Sequence, residues 1–268
     1  MFKFFQFTSF YLILGSLTVF SNVGIAAHWQ ENKDIGKIFE RAKAEGTFVL
    51  YDVSADSFTG YNSERANKRF IPASTFKIAN SLVGLASGAI KDVDEILPYG
   101  GEPQFMKTWE NDMSLRDAIK ISNVPIYQEL ARRIGPDKMQ ENLNKLDYGN
   151  KTIGNIIDMF WLQGPIKISA IEQTYFLSKL AQNKLPFSAE IQKQVRDITV
   201  VEEKDDRILH GKTGWTTAPN PGIGWWVGWV VNGEKIHCFA LNIDMDNIED
   251  ANKRIDIVKA SLKLLNIY

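Results

Sequence analysis

A serine stands three residues before a lysine where the chain turns apolar: Pro72-Ala73-Ser74-Thr75-Phe76-Lys77 runs into Ile78-Ala79-Asn80-Ser81-Leu82-Val83. Pro72 suits a helix entry, because its missing N–H would have no helical partner there. A helix starting near Ser74 puts the hydroxyl at the positive end of the dipole and Lys77 on the same face. This spacing can do nucleophilic chemistry. A serine alkoxide is too basic to exist free at neutral pH, so Ser74 needs an adjacent base. Lysine serves only after losing its charge, and Phe76 with its apolar neighbours favours the neutral amine. By itself S-x-x-K is a short pattern, and a helical lysine is more often a solvated charge. Residues elsewhere must decide.

Other chemistries find less support. The three histidines, His28, His210 and His237, are scattered, and the single cysteine, Cys238, excludes an intrachain disulfide. No His, Cys and carboxylate cluster has metal-ligand spacing, so neither a metal nor an organic cofactor is expected. A net charge of −1 over 268 residues offers nothing to nucleic acid or an anionic membrane. With 44% hydrophobic and 24% charged residues, the composition is that of a globular protein with a substantial core.

The elements that must position Ser74 lie on both sides of it. Residues 1–26 read as a signal peptide: Lys3, a largely apolar run from Phe4 to Phe20, and small residues Gly24 and Ala26 before the cleavage point. The expected mature protein is exported to the periplasm and leaves the membrane. An uncleaved anchor is the alternative. A helix around Ile35–Ala42 precedes a strand over 47–53, with the polar stretch Tyr61–Arg69 as its expected hairpin partner. Helices follow at 115–120, 126–134 and 136–146. Trp161–Pro165 reads as a loop. Ser169 and Glu172 form a capping box for a helix to about Asn183, and Ser188 caps another. From Arg207 the period changes to two. Strands over 207–212, 223–231 and 235–245 are expected, the last pair turning at Asn232-Gly233, before an amphipathic helix over 248–266. Strands at both ends and helices between them give an α+β fold. Residues 27–71 with 190–268 form an antiparallel sheet flanked by helices, residues 72–189 an inserted all-helical part, and the site lies in the cleft between them.

Two further motifs complete the first. Ser122-Asn123-Val124 falls between helices, and Lys212-Thr213-Gly214 on a strand that can line the cleft. S-x-x-K, a serine motif and K-T-G, in that order, are shared by penicillin-binding proteins and serine β-lactamases. S-x-V, Tyr148-Gly149-Asn150, Trp161-x-x-Gly164 and the run Gly224-Trp225-Trp226-Val227-Gly228-Trp229 give the chain its resemblance to the class D β-lactamases, the oxacillinases. The resemblance implies a hydrolase acting on a small-molecule β-lactam through a Ser74 acyl-enzyme, with Lys77 carboxylated by CO₂ as general base. It implies that Trp161 donates its indole N–H to the carbamate and that Val124 walls the chamber. Ser122 passes a proton to the lactam nitrogen, and Lys212 supports that step. Lys212, Thr213, Gly214 and Arg254 hold the substrate carboxylate, for which an arginine fork is suited. The backbone N–H groups of Ser74 and Trp215 form the oxyanion hole, and Trp109 is an aromatic wall. Members of this family are monomers or homodimers. A penicillin-binding peptidase and a β-lactam sensor domain share the first and third motifs; a peptidase usually carries S-x-N where this chain has S-x-V.

Overall fold

The alternating segments at the two ends of the chain meet in one sheet in the computed structural model, which describes residues 28–217 and 220–268. The strands are β1 (His28–Glu31), β2 (Gly46–Asp52), β3 (Ser57–Tyr61), β4 (Val200–Lys204), β5 (Arg207–Thr216), β6 (Ile223–Asn232) and β7 (Lys235–Asp244). Their order is β1-β3-β2-β7-β6-β5-β4. The N- and C-terminal segments join where β2 pairs antiparallel with β7, from Gly46 opposite Ile243 to Asp52 opposite His237. The sheet is antiparallel except at one edge, where β1 runs parallel to β3. Four residues of mixed polarity gave no sign of that strand.

Three local expectations need correction. The hairpin partner of β2 is Ser57–Tyr61, pairing Asp52 with Ser57 through Phe48 with Tyr61. The polar stretch after it is helical, because Asn62 in the left-handed region caps α2 (Ser63–Asn67) by accepting from the Arg65 N–H. In the last hairpin Asn232 still pairs with Lys235, so the two-residue turn is Gly233-Glu234, and Gly233 supplies the positive φ of 58°.

The remaining helices are α1 (Lys33–Ala42), α3 (Lys77–Ala86), α4 (Leu115–Lys120), α5 (Val124–Ile134), α6 (Pro136–Leu146), α7 (Phe160–Gln163), α8 (Ala170–Ala181), α9 (Ala189–Ile198) and α10 (Ala251–Leu264). Helices α2 to α9 all fall between β3 and β4. The sheet separates two apolar layers. On one face Ile35 and Phe39 of α1 and Val258 and Leu262 of α10 pack on Phe48, Trp226, Val230 and Leu241. On the other, Val49, Trp225, Val227 and Trp229 meet the helices through Phe76, Leu82, Leu130 and Leu177. Strand β6 is therefore apolar on both sides, which explains its unbroken run of Trp and Val. Helix α8 lies along the sheet as well as among the helices, so it spans the junction.

The expected signal peptide lies outside the described residues. Among the described residues no helix is long and apolar enough to cross a membrane.

At the start of α8 the capping box is complete: Ser169 Oγ accepts from the Glu172 N–H at 3.1 Å and Glu172 Oε2 from the Ser169 N–H at 2.9 Å. Glu172 also pairs with Arg69. Ser169→Ala should cost about 1 kcal/mol and lower the melting temperature by roughly 2–4 °C, read by thermal denaturation. An unchanged melting curve would show that the cap does not hold this junction.

Candidate active site

Ser74 lies not in the α-helix but in a 3₁₀ turn, Ala73–Phe76, that leads into α3 at Lys77. In such a turn residues i and i+3 eclipse. Lys77 therefore sits over Ser74, and Lys77 Nζ donates to Ser74 Oγ at 2.8 Å. Lys77 is wholly enclosed and Ser74 is 8% exposed. The amine is 5.2 Å from the centre of the Tyr127 ring. Phe76, beside it in sequence, stacks on Trp161 at 5.6 Å and meets Tyr148 and Phe160 edge-on. Burial pushes the Lys77 amine well below the ordinary lysine value, and the charge of Lys212 pushes the same way. Lys77 thus holds a proton far less readily than an ordinary lysine, which suits it to act as a base.

The second serine comes from the α4–α5 connection. Ser122 has a positive φ of 58°, and Asn123 caps α5 by accepting from the Ile126 N–H. Val124 is the first residue of α5 and is half-buried. Across the cleft Lys212 Nζ donates to Ser122 Oγ at 3.0 Å and to the Thr213 carbonyl at 2.9 Å. Burial, and then the charge of Arg254, hold the Lys212 amine down to about 7. Arg254 reaches from α10 to the K-T-G strand: Nη1 donates to the Gly214 carbonyl at 2.7 Å, and Nε to Ala251 O at 2.9 Å.

Strand β5 reaches the nucleophile because its outer edge is free where it matters. β4 covers β5 only as far as His210, and the Gly211 N–H is taken by Thr199 O. Beyond that the serine turn lies against it: a Cβ on Gly214 would come within 3.0 Å of Pro72 O and 3.2 Å of the Thr75 N. A side chain here would press the two backbones apart by a few tenths of an ångström, so glycine suits this close approach. Trp215 follows at once, with its indole N–H on Met245 O at 3.0 Å. Trp109 stands beside the second serine, donating from Nε1 to Ile121 O while its own carbonyl accepts from Asn123.

Trp161 lies on the single-turn helix α7, not in a loop. It is completely buried, and its Nε1–H has no hydrogen-bond partner among the described residues. A buried indole N–H without an acceptor is costly, and this one lies against Phe76, one residue from Lys77. A buried amine of lowered basicity and a donor in want of an acceptor suit an added anionic group on Lys77.

Several contributors were not legible in sequence. Ala73 has φ 48°, a strained conformation for a residue with a Cβ. Trp225 Nε1 donates to Ile71 O at 2.9 Å, and Gln173 Nε2 to Thr75 Oγ1 at 2.9 Å. These contacts join residues far apart in sequence, and no local pattern announces them. Among the described residues no group of three or more His, Cys, Asp and Glu could hold a metal ion. His210 is buried and stacked on Trp229 at 4.2 Å, while His237 lies 3.5 Å from Asp52.

Comparison with known proteins agrees with this geometry. Residues 42–263 match the penicillin binding protein transpeptidase domain. The chain is 43% identical over 234 residues to the β-lactamase OXA-5 of Pseudomonas aeruginosa, covering 86% of this chain and 88% of that protein. It is 42% identical over 239 residues to OXA-48 of Klebsiella pneumoniae, covering 89% and 90%. A crystal structure of FUS-1 (OXA-85), a class D β-lactamase from Fusobacterium nucleatum subsp. polymorphum, superposes with a TM-score of 0.86 at 51% identity, covering 89% of this chain and 99% of that one.

The two buried lysines make stability depend on pH. Each binds its proton less tightly folded than unfolded, so between the folded value and the unfolded one, near 10.4, the unfolded chain holds more protons and stability rises with pH. For Lys212 that window opens at about 7. In CO₂-free buffer Lys212 alone should add about 2 kcal/mol of stability between pH 7.5 and 9.5, with Lys77 adding to the gain, measured by denaturant unfolding. Lys212→Met should lose part of the gain. Flat stability across this range would mean that the amines are solvated, with the same proton affinity folded and unfolded.

Proposed function

Since the chain belongs to the class D β-lactamases, enzymes that hydrolyse β-lactams, we propose that it opens the lactam through a covalent Ser74 acyl-enzyme whose general base resides on Lys77. The observation that carries this reading is the 2.8 Å contact between Ser74 Oγ and a fully enclosed Lys77 amine, whose hold on its proton burial weakens. Only a neutral amine adds CO₂, and the orphaned Trp161 N–H supplies the hydrogen bond that an oxygen on Lys77 would accept. Carboxylation would give Lys77 an anionic oxygen base, able to take the proton of Ser74 and later that of a water.

The protein's own groups account for the rest. Ser74 Oγ attacks the lactam carbonyl, and the backbone N–H groups of Ser74 and Trp215 stabilise the oxyanion. Loss of one such donor typically costs about 10²–10³ in rate. As the C–N bond breaks, Ser122 Oγ gives its proton to the departing nitrogen and is reprotonated from Lys212 Nζ, 3.0 Å away. That relay favours a lysine near the operating pH over one of ordinary basicity. Arg254, beside Gly214, attracts the substrate carboxylate together with Lys212 and the Thr213 hydroxyl. Val124 and Trp109 bound the cleft at the start of α5 and beside the Ser122 loop. The charged, apolar and small-residue pattern before Ala27 supports export, so the enzyme would meet its substrate in the periplasm.

Steady turnover of a chromogenic cephalosporin, with a Ser74 adduct by mass spectrometry that disappears in Ser74→Ala, is the expected result. An adduct that forms and persists would mark a sensor or a peptidase. Trp161→Phe keeps the ring and removes the N–H. It should slow deacylation by about 10- to 100-fold, more than acylation, with recovery on added bicarbonate. Labelling with ¹³C-bicarbonate should show a carbamate resonance in the wild type that weakens in Trp161→Phe. A fully active enzyme without that resonance would remove Lys77 carboxylation from the mechanism.

A further inference from the structure

The nucleophile's turn is held from three directions, and one of the holds is a directed chain of hydrogen bonds. Gln173 Nε2 on α8 donates to Thr75 Oγ1 at 2.9 Å, and Thr75 Oγ1 in turn donates to Pro72 O at 2.7 Å. All of these groups are buried; Gln173 and Thr75 are each 1% exposed. The Tyr148 hydroxyl is enclosed at the same place, and its nearness to Thr75 and Gln173 opposes part of the rise that burial imposes on its pKa. From the sheet side Trp225 Nε1 holds Ile71 O, and Gly214 bears on Pro72 O. Between these anchors lies Ala73 at φ 48°, a conformation that persists only where its surroundings over-determine it.

We propose that Gln173 is a positioning residue for acylation, acting through Thr75 to fix the strained turn that aims Ser74 Oγ and its N–H at the K-T-G strand. The inference rests on Ser74 being the nucleophile. Thr75 has one hydroxyl proton. The Gln173 amide can only donate from Nε2, so that proton is directed to Pro72 O. The Pro72 carbonyl is the atom that meets the strand at Gly214, one residue before Trp215. Its orientation therefore sets the spacing between the Ser74 and Trp215 N–H groups. Without Gln173 the hydroxyl can rotate and the turn can relax toward an unstrained φ at Ala73. The proton acceptor on Lys77 would stay in place, but the attacking oxygen would lose its aim.

The test is single-turnover acylation by a penicillin, with each rate divided by the active fraction from the burst amplitude. Gln173→Leu and Thr75→Val should each lower the acylation rate per active site about tenfold, with substrate dissociation constants unchanged. The double variant should be no slower than either single one, because both break the same chain. Thr75→Ser keeps the oxygen and should restore wild-type rates. A wild-type rate per active site in Gln173→Leu would overturn the proposal, as would additive losses or a Thr75→Ser as slow as Thr75→Val. If Gln173→Leu does not fold, the contrast between Thr75→Ser and Thr75→Val decides alone. A wild type with no adduct on Ser74 would instead overturn the nucleophile assignment, and mass spectrometry separates the two failures.

Discussion

An amine enclosed on every side by protein is the constraint around which this molecule is arranged. Lys77 is enclosed by Tyr127 and the rings gathered about Phe76, and a second lysine stands close by. A full charge there would be costly, so the group holds its proton less tightly. Everything that keeps Lys77 enclosed therefore helps make Ser74 reactive. The aromatic packing of Phe76, Tyr148, Phe160 and Trp161 is at once core and chemistry. The same logic acts more mildly on Lys212, also buried but held only down to about 7, between its two charge states.

The site draws on two stretches of the chain with different duties. The segment between β3 and β4 supplies Ser74, Lys77, Ser122 and Trp161, while the sheet supplies Lys212, Thr213 and the backbone edge beside Gly214. Two left-handed residues, Ala73 and Ser122, flank the places where helices hand their serines to the strand. Each such conformation costs about 1–2 kcal/mol, offset by packing elsewhere. A regular helix would direct both hydroxyls along its own surface; the irregular backbone turns them across the cleft.

Short-range patterns made most of this arrangement legible. The capping box at Ser169, the period-two run from Ile223 and the Pro72–Lys77 motif are local signals, and the structure carries each of them. Errors came where one residue's conformation decides the outcome. Asn62 in the left-handed region converts an expected strand into α2, and the last turn slips by one residue to Gly233-Glu234. Trp161 joined a helix of a single turn, too short for any periodicity to reveal. The contacts of Gln173 with Thr75 and of Trp225 with Ile71 were beyond sequence reading for another reason. They are set by which surfaces the fold presses together, not by neighbours along the chain.

The pairing of β2 with β7 has a consequence for how the protein comes into being. The middle of the sheet is closed by residues from opposite ends of the chain, Gly46 against Ile243. Until the last hairpin exists, β2 and β3 present an open edge and the helices have no sheet to cover. Such non-local closure makes folding slow and late. A chain emerging from its N-terminus can make its helices early, yet Lys212 can reach Ser122 only after β5, β6 and β7 have docked. Reactivity and completion of the fold thus arrive together, and a chain cut short before its final strands would expose apolar surface without gaining a catalyst.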